Sequence, residues 1–202
     1  MILRGFLQAG GGSTRLGTDK ALVQLAGKTM LERTGELMDG VCEEVSIVAP
    51  AGKYAITTLP VLSDRWPGEG PLGGILTALS AMQSGRSGTD WAMILSCDMP
   101  FLTREFLAFL WMRASKSSAQ VVVPESSRGP EPLCACWSVN AAAGVQSTFD
   151  SGVRKVTEAM KRLPMEVLDE SAWKRFDSDG RLFWNMNTPE DYEEARRILE
   201  TE

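Results

Sequence analysis

The chain contains no histidine, and that absence removes a large part of enzyme chemistry. Neither a Ser-His-Asp or Cys-His nucleophile nor a histidine-ligated zinc or iron centre can be assembled. Whatever reaction the protein runs must use carboxylates, Lys, Arg and a hard cation. Cysteine is also scarce: Cys42, Cys97, Cys134 and Cys136 are scattered and form no Cys-x-x-Cys pair. They indicate neither a zinc site nor a disulfide framework, and are expected to be reduced packing residues. Positive charge is in deficit, with 21 Lys and Arg against 26 Asp and Glu and a formal net charge of -5. A general nucleic-acid binder needs a basic face, so nucleic acid is not an expected partner and any phosphate affinity must be local. Long apolar runs are missing as well. The N-terminal stretch Ile2-Leu3-Arg4-Gly5-Phe6-Leu7 is broken by Arg4 and Gly5, too short and wrongly flanked for a signal peptide or a membrane span. The expectation is a cytoplasmic protein with no membrane partner. Low-complexity tracts, blocks of like charge and internal repeats are not found either.

With 202 residues, 44% of them hydrophobic, the chain suffices for one well-packed domain. Its first apolar run reads as a buried strand that empties into Gln8-Ala9-Gly10-Gly11-Gly12-Ser13-Thr14-Arg15-Leu16-Gly17-Thr18-Asp19-Lys20. Consecutive glycines lack the Cβ atoms that keep a ligand from the main chain, and they permit positive φ, so successive N–H groups can converge on an anion. Arg15 and Lys20 add fixed positive charge, and together these features suit a polyphosphate. The loop is not a Walker A sequence, since Thr18-Asp19 follows where Lys-Ser/Thr is needed, nor the dinucleotide fingerprint, which needs glycine where Arg15 stands. By composition alone it also fits an ordinary glycine-rich turn with solvated charges.

Downstream, Ala21-Leu22-Val23-Gln24-Leu25 alternates like a short strand, Ala26-Gly27-Lys28 turns, and Met30–Val41 has helical spacing. Thr29 with Glu32 matches a capping box. Val45–Ala49 is a buried strand stopped by Pro50. Strand, loop, helix and strand in this order predict an α/β fold with a parallel sheet. A second loop, Ser63–Gly74, carries Asp64 and the run Gly70-Pro71-Leu72-Gly73-Gly74 ahead of a helical stretch, Ile75–Met82. Glycines at a helix start expose N–H groups at the positive end of the dipole and let a base or ribose approach; a plain loop with an N-capped helix is the alternative. The apolar strand Trp91–Leu95 ends in Ser96-Cys97-Asp98-Met99-Pro100-Phe101. A carboxylate beyond the carboxyl end of such a strand is well placed to hold a metal, and a turn or N-cap aspartate is the alternative.

Thr103 predicts the cap of a helix to about Lys116, followed by a strand at Val121–Val123 and a loop, Arg128–Trp137, leading into another. Helical patterns span Ala141–Phe149 and Val153–Leu163; Arg154, Lys155, Lys161 and Arg162 on the second face either an anionic acceptor or solvent. Phe183–Asn187 reads as a short strand, and Thr188-Pro189-Glu190-Asp191 as a strong helix start.

Taken together, Ala-Gly-Gly-Gly-Ser-x-Arg-Leu-Gly-x-Asp-Lys, Gly-Pro-Leu-Gly-Gly, Asp-Met-Pro-Phe-Leu and Asn-x-Asn-Thr-Pro-Glu-Asp resemble the ordered motifs of the molybdenum cofactor guanylyltransferases, the MobA family of the nucleotidyltransferase superfamily. The resemblance implies a three-layer Rossmann-like fold, with a mostly parallel central sheet and helices on both faces. It implies one domain over residues 1–202, with a nucleotide-binding half to about residue 102 and an acceptor-side half from about 103. The implied reaction moves GMP from GTP to the phosphate of molybdopterin or Mo-molybdopterin and releases pyrophosphate. Arg15, Lys20 and Asp98 would be catalytic. Gln8, Ala9, Gly10, Gly11, Gly12, Ser13, Lys20, Asp64, Gly70, Pro71, Leu72, Gly73, Gly74 and Asp98 would bind the nucleotide. Mg²⁺ would sit on Asp98, with Asn187 beside it. Molybdenum-insertion and molybdoenzyme maturation proteins are the implied protein partners. The chain departs from the family at Gln8, usually leucine, at Leu16, usually methionine, and at Val48-Ala49-Pro50, which lacks an asparagine some members place there. A cytidylyltransferase for the same pterin, a nucleotidyltransferase for another small phosphate, and a non-catalytic nucleotide-binding carrier subunit are the alternatives.

Overall fold

The computed structural model describes residues 1–9, 19–54, 57–83 and 90–201. The N-terminal apolar run forms β1 (Leu3–Gln8). Residues 21–25, expected to be a strand, instead begin as a 3₁₀ turn at Lys20–Leu22, because the Asp19 carboxylate caps the Ala21 N–H. Only β2 (Gln24–Leu25) is extended, paired antiparallel with β3 (Lys28–Thr29). The turn between them has Ala26 and Gly27 at φ 48° and 79°. Thr29 and Glu32 form the expected capping box of α1 (Met30–Asp39). Then come β4 (Glu44–Ala49) and β5 (Val61–Ser63).

The next helix, α2 (Pro71–Gln83), starts four residues before the expected Ile75. Proline presets the φ of a first helical position and has no N–H to leave unpaired, so Pro71 starts the helix and draws Leu72, Gly73 and Gly74 into its first turn. β6 (Trp91–Ser96) and α3 (Arg104–Ala114), capped by Thr103 as expected, follow. The second half supplies β7 (Val121–Ser126), β8 (Gly129–Pro130), β9 (Cys134–Ser138) and α4 (Ala142–Asp150). Of the helical pattern at 153–163 only α5 (Val156–Met160) is helical, since Gly152 at φ 89° breaks the chain ahead of it. Then come β10 (Met165–Leu168) and α6 (Glu170–Trp173), neither anticipated, and α7 (Pro189–Leu199). Phe183–Asn187 is not a strand; no ladder includes it.

Among the described residues eight strands form one sheet in the order β10-β7-β9-β6-β1-β4-β5, with β8 on β7. β1 pairs parallel with β4 and β6, β4 with β5, and β10 with β7, while β9 runs antiparallel to β6 and β7. Alternation along the strands divides the core. Leu3, Leu7, Met93, Leu95 and Val122 face one layer with Met30, Phe106, Leu110, Trp173 and Ala195. Phe6, Ala92, Ile94, Val121 and Trp137 face the other with Ile75, Leu79, Val145 and Met160. Helices therefore cover both faces of a mostly parallel sheet, the expected three-layer architecture. No helix of the described residues is long and apolar enough to cross a membrane.

Candidate active site

The parallel strands align their carboxyl ends in one row. Gln8 lies in register with Val48 on one side and Ser96 on the other, and Ala49 with Ser63. Ligands of open α/β sheets sit beyond such an edge. β9, being antiparallel, brings its start to the same edge, where the Ser96 N–H donates to the Leu133 carbonyl at 2.9 Å.

Asp98 stands two residues past β6. Its Oδ1 accepts from the Ser96 hydroxyl at 2.5 Å, and its main-chain carbonyl accepts from the Met186 N–H at 2.8 Å. The second contact brings Asn187, which is 89 residues further along the chain (187 − 98), beside the aspartate. Asn187 Oδ1 accepts from Lys20 Nζ at 2.6 Å. Lys20, Asp98 and Asn187, expected in one site from separate motifs, are thus drawn to one corner of the edge. The asparagine is itself braced: Asp191 Oδ2 accepts from the N–H groups of Asn187 and Thr188 at 2.7 and 2.8 Å. Burial pushes the Asp191 carboxyl up, but these main-chain donors and the Thr188 hydroxyl outweigh it and hold the group below the usual carboxylate range.

Two thiols feel the charge of Asp98. Cys97 and Cys134 are fully buried; burial first, then Asp98 and Asp19 for Cys97, and Glu131 and Asp98 for Cys134, push them far above the ordinary thiol value. They stay neutral and pack, as does Cys42, pushed up to about 12 by burial and Asp39. Cys136 is buried and raised likewise.

The second loop lies farther along. Asp64 follows β5, three strands from β6, or about 14 Å of sheet at ~4.8 Å per strand. Its Oδ1 accepts from Thr77 Oγ1 at 2.9 Å and from the Trp66 N–H at 3.0 Å, which ties the loop to α2. Leu72 is buried in the core and contributes only backbone. The space left at the glycines of this turn is filled from within: a Cβ on Gly74 would come 2.9 Å from Gln8 Cδ, and one on Gly73 3.1 Å from Trp66 Cβ. Their lack of side chain is thus explained by packing, whereas Gly70, at φ 79°, is exposed and uncrowded. Gln8 Nε2 donates to the Pro71 carbonyl at 3.1 Å, and the Ala9 N–H to the Val48 carbonyl at 3.1 Å, so both residues seal the row of strand ends. Of the four cations on 153–163, Arg154 is taken by Glu69 at 2.5 Å, stacked 3.8 Å from the Phe149 ring centroid, and Arg162 reaches Ser151. Lys155 and Lys161 are exposed. Gly10, Gly11, Gly12, Ser13 and Arg15 lie outside the described residues.

Periodicity does not reveal the partners of Asp19. Its Oδ2 accepts from Tyr54 OH at 2.7 Å and Lys53 Nζ at 2.9 Å. Burial raises the Asp19 carboxyl, yet these donors and the Ala21 N–H leave it below its ordinary value. Ser96 carries a faint signal, since it ends the strand two residues before Asp98.

Among the described residues no group of three acidic or thiol side chains forms a ready-made metal cage. The donors at the corner, a carboxylate and an amide carbonyl, are hard oxygens. They fit a divalent cation that is held by one or two protein groups and completes its sphere with phosphate oxygens and water. Ser96 occupies one of about four lone-pair positions on Asp98, which leaves the carboxylate able to ligate.

Known proteins resemble this chain in sequence and in fold. A probable molybdenum cofactor guanylyltransferase of Chloroflexus aggregans is 32% identical, across 100% of this chain and 97% of its own. A molybdenum cofactor guanylyltransferase of Desulfosudis oleivorans is 30% identical over 96% and 95%. The crystal structure of molybdopterin-guanine dinucleotide biosynthesis protein A from Archaeoglobus fulgidus superposes with a TM-score of 0.85 at 25% identity, covering 98% of this chain and 100% of that one. A 2-C-methyl-D-erythritol 4-phosphate cytidylyltransferase from Thermus thermophilus, 15% identical at TM-score 0.70 over 99% and 100% of the two chains, shares the fold. The model of the MobA-like NTP transferase domain matches residues 5–163, and the chain belongs to that family.

Proposed function

We propose that the protein is a molybdenum cofactor guanylyltransferase. A terminal phosphate oxygen of molybdopterin, with or without molybdenum, attacks the α-phosphorus of GTP; the bond from that phosphorus to the bridging oxygen breaks, and pyrophosphate leaves. The observation that carries the reading is the meeting of Lys20, Asn187 and Asp98 at the carboxyl edge of the sheet. Two anions must be brought together, so the enzyme's task is alignment and charge neutralisation. Lys20 supplies a point charge to the phosphates. Asp98, with Asn187 beside it, holds Mg²⁺, which when bound offsets charge on the reacting phosphates. Gly10, Gly11, Gly12, Ser13 and Arg15 complete the phosphate cradle, Gln8 and Ala9 close its floor, and Asp64 with Gly70–Gly74 borders the base and ribose. No general base is needed, because a phosphate monoester is already ionised near neutral pH, its second pKa being about 6. A chain without histidine can therefore run the reaction.

In this reading residues 1–202 act as one domain, with the nucleotide half ending near residue 102 and the acceptor half following. The acceptor reaches the antiparallel β9 side and is delivered by molybdenum-insertion proteins, and the product passes to molybdoenzyme maturation proteins. The four cysteines, all unpaired, support work in the reducing cytoplasm. The test is pyrophosphate release from purified protein with Mg²⁺ and molybdopterin, GTP set against CTP, with a no-acceptor control. Release with GTP that needs both metal and pterin is the expected result. Release with CTP alone would overturn the base assignment, and silence with both would overturn the acceptor.

A further inference from the structure

Lys20 is held at its ammonium by Asn187, but an ammonium on a flexible four-carbon stem is aimed only if its main chain is also fixed. That second anchorage comes from an element no motif touches. After β4 the chain turns at Pro50–Tyr54, with the Lys53 N–H donating to the Pro50 carbonyl at 3.1 Å and Gly52 at φ 80°. Tyr54 itself sits at φ 58°, in the left-handed region that aromatic residues rarely adopt. Its ring is buried in the layer with Met30 and Phe106, 7% exposed, and its hydroxyl emerges onto Asp19. The two oxygens of Asp19 then divide the work. Oδ2 takes the Tyr54 hydroxyl at 2.7 Å, and Oδ1 takes the Ala21 N–H at 3.1 Å, which starts the 3₁₀ turn whose first residue is Lys20.

We propose that Tyr54 is a positioning residue for Lys20, acting through Asp19. The tyrosine fixes the carboxylate, the carboxylate fixes the turn, and the turn sets where the lysine stem begins. Lys53 also reaches Asp19, at 2.9 Å, but it is 44% exposed, and an exposed ion pair orients its partner less firmly than a buried hydroxyl does. Any buried tyrosine needs a partner for its hydroxyl, and here that partner is the carboxylate that also starts the turn at Lys20. The inference rests on the reading that Lys20 serves the reaction.

The experiment is a double-mutant cycle in the full chain, measuring kcat and KM for GTP in Tyr54→Phe, Lys20→Ala and the double variant, under single-turnover conditions where turnover is slow. Phenylalanine keeps the ring and removes only the hydroxyl. The expected result is a fall in kcat of about tenfold for Tyr54→Phe, the size of one lost hydrogen bond to a charged group, with KM little changed and no further fall on the Lys20→Ala background. An undiminished kcat, or an equal loss on both backgrounds, would overturn the inference. If Tyr54→Phe fails to fold, Asp19→Asn tests the same link: it keeps an oxygen for Ala21 but puts an amide against the tyrosine hydroxyl, and it must show the same dependence on Lys20. Should Lys20→Ala itself be harmless, the assignment of Lys20 fails. Should it be crippling while the Tyr54 effect is additive, only the positioning role fails.

Discussion

The first half of the sheet and the second reach the same edge by opposite means. β1, β4, β5 and β6 are parallel, so their carboxyl ends coincide, and Gln8, Asp64, Ser96 and Asp98 are placed by where strands stop. The second half cannot do this, because β9 is antiparallel and the segment 183–187 belongs to no ladder. Asn187 is held instead by the main-chain bond of its neighbour Met186 to Asp98, by the Asp191 carboxylate in the cap of α7, and by aromatic packing upstream. There Phe183 meets Phe106 edge-on at 5.3 Å and Trp173 at 4.8 Å, and the Arg128 guanidinium donates to its carbonyl. The difference teaches that one half of the site is set by a backbone lattice and the other by side chains. Damage to a packing side chain should therefore reach the site mainly in the second half, with Tyr54, whose hydroxyl meets Asp19, as the exception in the first.

The largest expected effect follows from that. Phe183→Ala removes a buried ring and should cost about 3 to 5 kcal/mol of stability, with the loss of Asn187 placement showing as reduced turnover in whatever remains folded. Denaturant unfolding measures the first quantity, and a change well under 1 kcal/mol would show that side-chain packing does not hold this segment. Asp98→Ala should do the reverse, lowering turnover on the order of a hundredfold or more, about 2.7 kcal/mol, while leaving the melting temperature nearly unchanged. Near-normal turnover would remove the metal assignment. Thr188→Ala deletes one half of the capping box and should cost about 1 kcal/mol, read from the same unfolding curves.

The smallest effect is in acid. Asp191 has a lowered pKa in the folded chain, so its contribution is fully present above the unfolded value near 3.9 and fades as pH falls through the folded one. The stability difference between the wild type and Asp191→Asn should accordingly be constant at neutral pH and shrink below about pH 4. A difference that grows there would reverse the sign of the linkage.

Much of this was legible beforehand for a physical reason. Capping at Thr29, Thr103 and Thr188 is a contact between residues three apart, and the burial of β1, β4 and β6 is written in their own apolar runs. Asp98 could be singled out only through the resemblance of Asp-Met-Pro-Phe-Leu to a family motif, since a carboxylate just beyond a buried strand serves equally as a turn or N-cap residue. The early start of α2, the shortening of α5, the lack of a strand at 183–187 and the existence of β10 were not legible. The first two turn on single residues, Pro71 and Gly152, that a hydrophobic pattern does not register, and the other two on whether a pairing partner distant in the chain is present.

The sequence by itself thus determined the α/β class and the exclusion of histidine mechanisms, and its resemblance to a known family marked four candidate site motifs, because each is read along the chain without knowledge of which residues meet. Tertiary structure decided which of those residues meet. Lys20 and Asn187 are 167 positions apart and touch at 2.6 Å; Tyr54 reaches Asp19 across 35. No periodicity encodes such pairings, since they arise only when the crossover connections of the sheet have brought separate strand ends and the returning C-terminal segment to a single edge.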